Sequence, residues 1–171
     1  MFRCFYPTFY EKSVYDIDFE KVYEKGFRGL IFDIDNTLVG HDAPADKRAV
    51  SFLKELMENG FQVCLLSNNK GPRVRKFNER IGALEICDAK KPSGSGYLRA
   101  VKSMGVSKDQ ILALGDQLFT DIWGANRAEI RSVLVERLYS KETKLIYIKR
   151  KLEKIVFVFY NAYRKKHGSS L

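Results

Sequence analysis

Apolar residues fall into short, nearly continuous runs separated by longer amphipathic stretches. Leu30-Ile31-Phe32, Phe61 to Leu66, Leu84 to Cys87, Ile111 to Leu114 and Val133-Leu134-Val135 have the length and continuity of buried parallel strands. Helices are predicted between them. Pro44 to Asn59 carries a stripe of Val50, Phe52, Leu53, Leu56 and Met57 and stops at Gly60. Pro72 to Arg80 is a second helix, basic on its outer side; Tyr97 to Met104 is a third, stopped by Gly105; Thr120 to Ala128 is a fourth, with Trp123 in the core. Upstream, Asp18 is positioned to cap a short helix through Lys25, with Gly26 as its stop. Strands alternating with helices predict one doubly wound α/β domain, a parallel sheet with helices on both faces and right-handed crossovers.

The ends of the chain depart from this rhythm. Phe2, Phe5, Tyr6, Phe9 and Tyr10 crowd the N-terminus around Pro7, suited to covering a sheet edge or touching lipid. From Lys144 to Lys166, Leu145, Ile148, Leu152, Ile155, Val156, Phe159 and Tyr163 keep helical spacing, although Ile155 to Tyr160 is continuous enough for a strand. The chain's formal charge is +9, and Glu136 to Leu171, with ten Lys/Arg against three Glu, supplies +7 of it. The expected division is therefore a domain over 1–140 and a basic, partly apolar segment over 141–171.

Such a segment suits an anionic membrane surface or another acidic partner, packing on the core being the other reading. No zinc-finger spacing or RNA-binding signature points to nucleic acid. The three cysteines lie far apart with no CxxC pair, so neither a disulfide framework nor a zinc site is indicated and a reducing, cytoplasmic setting fits best. No apolar run approaches the roughly 18 residues of a membrane span, so any membrane association is expected to be peripheral, on the inner face.

Candidate chemistry collects where the strands end. Asp33 and Asp35 follow the first strand two residues apart and share a face if the extended backbone persists. Paired carboxylates repel unless a proton or a hard cation such as Mg²⁺ offsets them; the alternative is a strand-to-turn junction capped by Asp and Asn. Ser67-Asn68-Asn69 ends the second strand, Lys90-Lys91-Pro92 follows the third, and Gly115-Asp116 with Asp121 follows the fourth. Ser93-Gly94-Ser95-Gly96 lacks the lysine of a phosphate-binding P-loop and reads as a helix entrance.

In chain order DxDNT, a strand-terminal Ser, a Lys before Pro, and GDxxxxD resemble the haloacid dehalogenase-like (HAD) phosphatases over roughly Arg28 to Val135. The resemblance implies that Asp33 is the nucleophile and Asp35 the general acid and base. It implies that Asp33, the backbone carbonyl of Asp35 and Asp116 hold Mg²⁺, with Asp121 supporting that shell or orienting the lysine. Ser67, Asn68 and Lys91 would bind the phosphoryl group; Lys90 is the rival to Lys91, which stands directly before proline. Thr37 and Asn36 shape the turn beneath the acids, and the resemblance gives His41 no role.

Thr37 to Ser67 and Ser67 to Lys91 span only 30 and 24 residues, leaving no room for the cap that encloses small substrates in this family. The resemblance is thus to capless, subfamily IIIA members, and, with Asp16-Ile17-Asp18 ahead of DIDNT, to the YqeG type related to phosphatidylglycerophosphate phosphatases. It implies an open site for a phosphate on a large molecule, a lipid headgroup first, with soluble sugar or nucleotide phosphates or a protein as alternatives. A non-catalytic or receiver-like signalling domain is the rival of another class.

Overall fold

The computed structural model describes residues 2–138 and, further on, Val156, Val158, Phe159, Tyr160 and Ala162. In chain order the elements are β1 (Phe9–Glu11), α1 (Phe19–Glu24), β2 (Gly29–Phe32), α2 (Lys47–Glu58), β3 (Gln62–Leu66), α3 (Gly71–Asn78), β4 (Leu84–Ile86), α4 (Ser95–Met104), β5 (Ile111–Gly115), α5 (Trp123–Arg127) and β6 (Arg131–Val135). All six strands are parallel in one sheet of order β1-β6-β5-β2-β3-β4. The predicted doubly wound sheet is what the chain forms. β2 lies at its centre, flanked by β5 and β3, so the three strand ends carrying Asp33, Asp116 and Ser67 are neighbours.

Alternation within β2 divides the core. Leu30 and Phe32 face one layer with α1, α2 and α3, where Val22, Leu53 and Phe77 are buried; Ile31 faces the other with Tyr97, Ala100 and Met104 of α4 and Ala125 of α5. Helix ends follow local chemistry. Asp18 caps α1 by accepting from the Lys21 N–H at 3.1 Å, and Gly26 beyond it takes φ 92°. α2 begins at Lys47 rather than Pro44, because the Asp46 carboxylate accepts from the Ala49 N–H at 2.7 Å and fixes the first turn there.

Two elements differ from expectation. The N-terminal aromatics do more than cover an edge: Phe9–Glu11 is itself a strand, pairing in parallel with β6. Thr120 to Ala128 is not one helix; Leu118–Ile122 forms a π-helical turn that passes into α5. Trp123 is only half-buried, edge-on to Phe5 at 5.2 Å.

Between Thr37 and Ser67 stand α2 and β3, and between Ser67 and Lys91 only α3 and β4, so among the described residues no cap is inserted over the strand ends. Most of the predicted 144–166 helix lies outside the described residues. The five described further on are helical; Val156 is buried with Leu118, Ile122 and Leu134, and the Tyr160 ring lies 5.5 Å from Tyr6. No helix among the described residues is long and apolar enough to cross a membrane.

Candidate active site

The sheet ladder runs one residue beyond β2: the Asp33 N–H donates to Leu114 O at 2.9 Å, fixing Asp33 at the strand's mouth beside β5. The chain then turns tightly. Thr37, Leu38 and Val39 N–H groups converge on Ile34 O, and Asn36 enters the left-handed region at φ 64°, which its short polar side chain tolerates. Thr37, buried beneath this turn, donates its hydroxyl to Asp33 Oδ2 at 3.2 Å.

Lys91 carries the cation that meets Asp33. Its Nζ donates to Asp33 Oδ1, to Asp121 Oδ1 at 2.6 Å and to Leu66 O at 3.2 Å, whereas Lys90 is exposed. Asn68 holds the Lys91 backbone, accepting from its N–H at 2.7 Å and donating to its carbonyl at 3.2 Å. Ser67 is buried at the end of β3, where its Oγ accepts from the Asn69 N–H at 3.1 Å.

Asp116 and Asp121 complete the acidic group. Carboxylate oxygens of Asp33, Asp116 and Asp121 all lie within 4.8 Å of one another. The second oxygen of Asp121 accepts from the Gln117 N–H at 3.1 Å, so its carboxylate both orients the lysine and closes the loop after β5. Gly115 makes the approach possible: a Cβ there would lie 2.4 Å from Asp121 Cβ. Asp116 Oδ2 accepts from Arg137 Nε at 2.7 Å, while its Oδ1 is buried without a hydrogen-bond partner among the described residues.

Burial dominates the ionisation of these groups. It pushes the Asp33 carboxyl up to about 7, with Lys91 opposing and Asp121 adding to the shift. Asp116 is pushed well above the usual carboxylate range by burial and then by Asp121 and Asp33. For Lys91 burial disfavours the charge, but Asp121 and Asp33 outweigh it and hold the ammonium above its ordinary value. Three carboxylates thus face two cations, Lys91 and Arg137. The remaining negative charge and the orphaned hard oxygen of Asp116 fit a divalent cation such as Mg²⁺.

Asp35 stands apart from this group. Its Oδ1 accepts from the Asp42 N–H at 2.8 Å and from Arg73 Nη2 at 3.3 Å, and its Oδ2 from Asn69 Nδ2 at 2.7 Å. His41 is exposed, with Nδ1 3.9 Å from Asp35. Asn69, Arg73 and Arg137 are contacts that sequence reasoning missed. Asn69 directly follows the Ser67-Asn68 pair, a usable signal; Arg73 reads as part of a basic helix face and Arg137 as part of a basic tail.

An open parallel sheet whose central strand ends in two aspartates, met by a lysine and two further aspartates from adjoining strands, defines a class of hydrolase. The chain belongs to the haloacid dehalogenase-like hydrolases, whose family model matches residues 40–129. It is 36% identical over 153 residues to the probable phosphatase YqeG of Bacillus subtilis, an alignment covering 89% of each chain. It is 30% identical over 149 residues to phosphatidylglycerophosphate phosphatase 1, chloroplastic/mitochondrial, of Arabidopsis thaliana, covering 79% of this chain but 42% of that one. Among solved structures, an uncharacterized protein from Listeria monocytogenes serotype 4b shares the fold with a TM-score of 0.53 at 18% identity, over 68% of this chain and 85% of that one.

Proposed function

We propose that this chain is a Mg²⁺-dependent phosphomonoester hydrolase that works through an aspartyl-phosphate on Asp33 and dephosphorylates phosphatidylglycerophosphate to phosphatidylglycerol. The observation that carries the chemistry is the Asp33 carboxylate at the mouth of the central strand, hydrogen-bonded to the buried Lys91 ammonium and grouped with Asp116 and Asp121. Asp33, Asp116 and the Asp35 carbonyl would hold Mg²⁺. Held by these groups, such a cation would keep Asp33 ionised and offset charge on the phosphoryl oxygens.

In the first half-reaction an Asp33 oxygen attacks phosphorus as the bond to the leaving oxygen breaks, and Asp35 gives its proton to that oxygen, releasing an alcohol. In the second, water attacks the acyl phosphate; Asp35 takes a water proton, and the Asp33 carboxylate leaves as inorganic phosphate departs. Lys91 offsets the phosphoryl charge, while Ser67 and the backbone N–H groups near it supply hydrogen bonds. Asp121 and Asn68 keep Lys91 in place.

The lipid substrate is supported by the relative in Arabidopsis and by strand ends over which no cap is inserted among the described residues. A site on the cytoplasmic face of an anionic membrane is supported by the +7 charge of Glu136 to Leu171 and by the exposed Val158 and Phe159 within that segment.

The test is phosphate release by the full chain with Mg²⁺, comparing phosphatidylglycerophosphate in detergent micelles with glycerol 3-phosphate and with sugar and nucleotide phosphates. The lipid is expected to be the best substrate, and Asp33→Asn to abolish release from all of them. Faster release from a soluble phosphate would overturn the lipid assignment. Undiminished release by Asp33→Asn would overturn the mechanism.

A further inference from the structure

Resting on the proton-transfer role given to Asp35 above, we propose that Arg73 is its positioning residue: it fixes the Asp35 carboxyl and clamps the loop around it to α3.

Asp35 sits in a loop, beyond the end of β2, and proton transfer requires its oxygen within hydrogen-bond reach of the leaving oxygen. Something outside the loop must set that geometry. Arg73, in the first turn of α3, reaches across: one nitrogen, Nη2, donates both to Asp35 Oδ1 at 3.3 Å and to Ala43 O at 2.8 Å. Its Nε lies 3.9 Å from Asp42 Oδ1 and has no hydrogen-bond partner among the described residues. The guanidinium carbon lies 5.8 Å from the Phe77 ring centre, one turn along α3, and the side chain is 25% exposed.

Asn69 also donates to Asp35, and the Asp42 N–H does so from within the loop. Neither grips the loop at a second point. Arg73 bonds the carboxylate and a carbonyl eight residues further on, so the loop cannot shift from α3 without breaking both contacts. A planar guanidinium offers several donors in a fixed array, which a lysine, as a point charge, does not.

A positioning role for the acid has a signature that a general structural role lacks. p-Nitrophenolate leaves easily without a proton, whereas the more basic phenolate of phenyl phosphate, a substrate of nearly the same size, needs one. With the full chain and Mg²⁺, Arg73→Ala should lower kcat on phenyl phosphate about 100-fold, the scale of a lost general acid, but on p-nitrophenyl phosphate by less than about tenfold, with KM little changed on both. Arg73→Lys should recover part of the lost ratio, and Asp35→Asn should show the same leaving-group dependence more strongly.

Equal losses on the two substrates in both Arg73 variants, tracking a lowered melting temperature, would overturn the proposal, as would unchanged rates. If Asp35→Asn itself loses activity equally on both, the assignment of Asp35 as the acid fails instead, and the two failures are told apart.

Discussion

Asp33 and Asp35 stand two residues apart yet keep different company. Asp33 is tied to Lys91 and Thr37, Asp35 to Asn69, Arg73 and the Asp42 amide. The pair of acids was legible in the sequence because Ser67, Lys91 and Asp116 follow other apolar runs in the matching order; by itself the pair reads equally well as a capped turn. Their partners were not: an arginine on a helix face reads as solvated until the fold turns that face inward. The Lys91 ammonium, 4% exposed, is the charge between Asp33 and Asp121. Lys91→Met should therefore cost about 3–5 kcal/mol of stability, since it strands two carboxylates in a buried site. Thermal melts would read this, and added Mg²⁺ should restore part of it by binding only the folded state. An unchanged melting temperature would count against the role of this ion pair. Burial likewise pushes the Cys64 thiol up to about 12. Its folded value lies above the free one, so the neutral thiol's contribution to stability is whole below the ordinary thiol range and is lost only as pH rises toward about 12. Alkylation at mildly alkaline pH, read by mass spectrometry, should label the exposed Cys4 and leave Cys64 untouched until the protein unfolds.

At the scale of elements, β2, β3, β5 and β6 were the most legible, because each is a short run buried on both faces beyond at most its first residue; β1, a half-buried Phe-Tyr-Glu at the sheet edge, carries no such signal. Helix starts were less so: α2 waits for the Asp46 cap, and the segment after β5 becomes a π-helical turn because Asp121 must reach back over Gly115 to the Gln117 N–H and to Lys91. π-Helical turns recur where a side chain is re-aimed at a site. Gly115→Ala tests this packing. The added methyl would lie 2.4 Å from Asp121 Cβ and 2.5 Å from its Cγ, so Asp121 must move. Overpacking of this kind costs about 1–3 kcal/mol. Melting temperature and phosphate release should fall together, with release falling further, since the lysine loses its orienting carboxylate. Full activity in the variant would show that Asp121 is dispensable.

On the scale of the whole molecule, residues distant in the chain close over the end of the sheet. Val156 packs against Leu118 and Ile122 of the π-helical turn and Leu134 of β6, bordered by Phe2, Phe5 and Tyr10. A residue from the C-terminal segment thus supports the turn that carries Asp121. Val156→Ala removes two buried methyl groups, and at about 0.8 kcal/mol per buried carbon, with the cavity left behind, the expected cost is roughly 2 kcal/mol. The matching exposed change, Val158→Ala, should be nearly neutral in a melt, since Val158 is 68% exposed. Equal effects from the two would show that this contact does not stabilise the body.

The sequence by itself determined the parallel sheet, the short intervals between its motifs and the positions of Asp33, Ser67, Lys91 and Asp116 beyond strand ends, because burial demands short apolar runs and leaves their polar termini conspicuous. Tertiary structure alone decided which charges meet. The pairing of Asp116 with Arg137, of Asp35 with Arg73 and of β1 with β6 joins residues 21, 38 and 124 positions apart. No local period encodes such pairs, and they form only when the crossovers have brought their elements to the same edge.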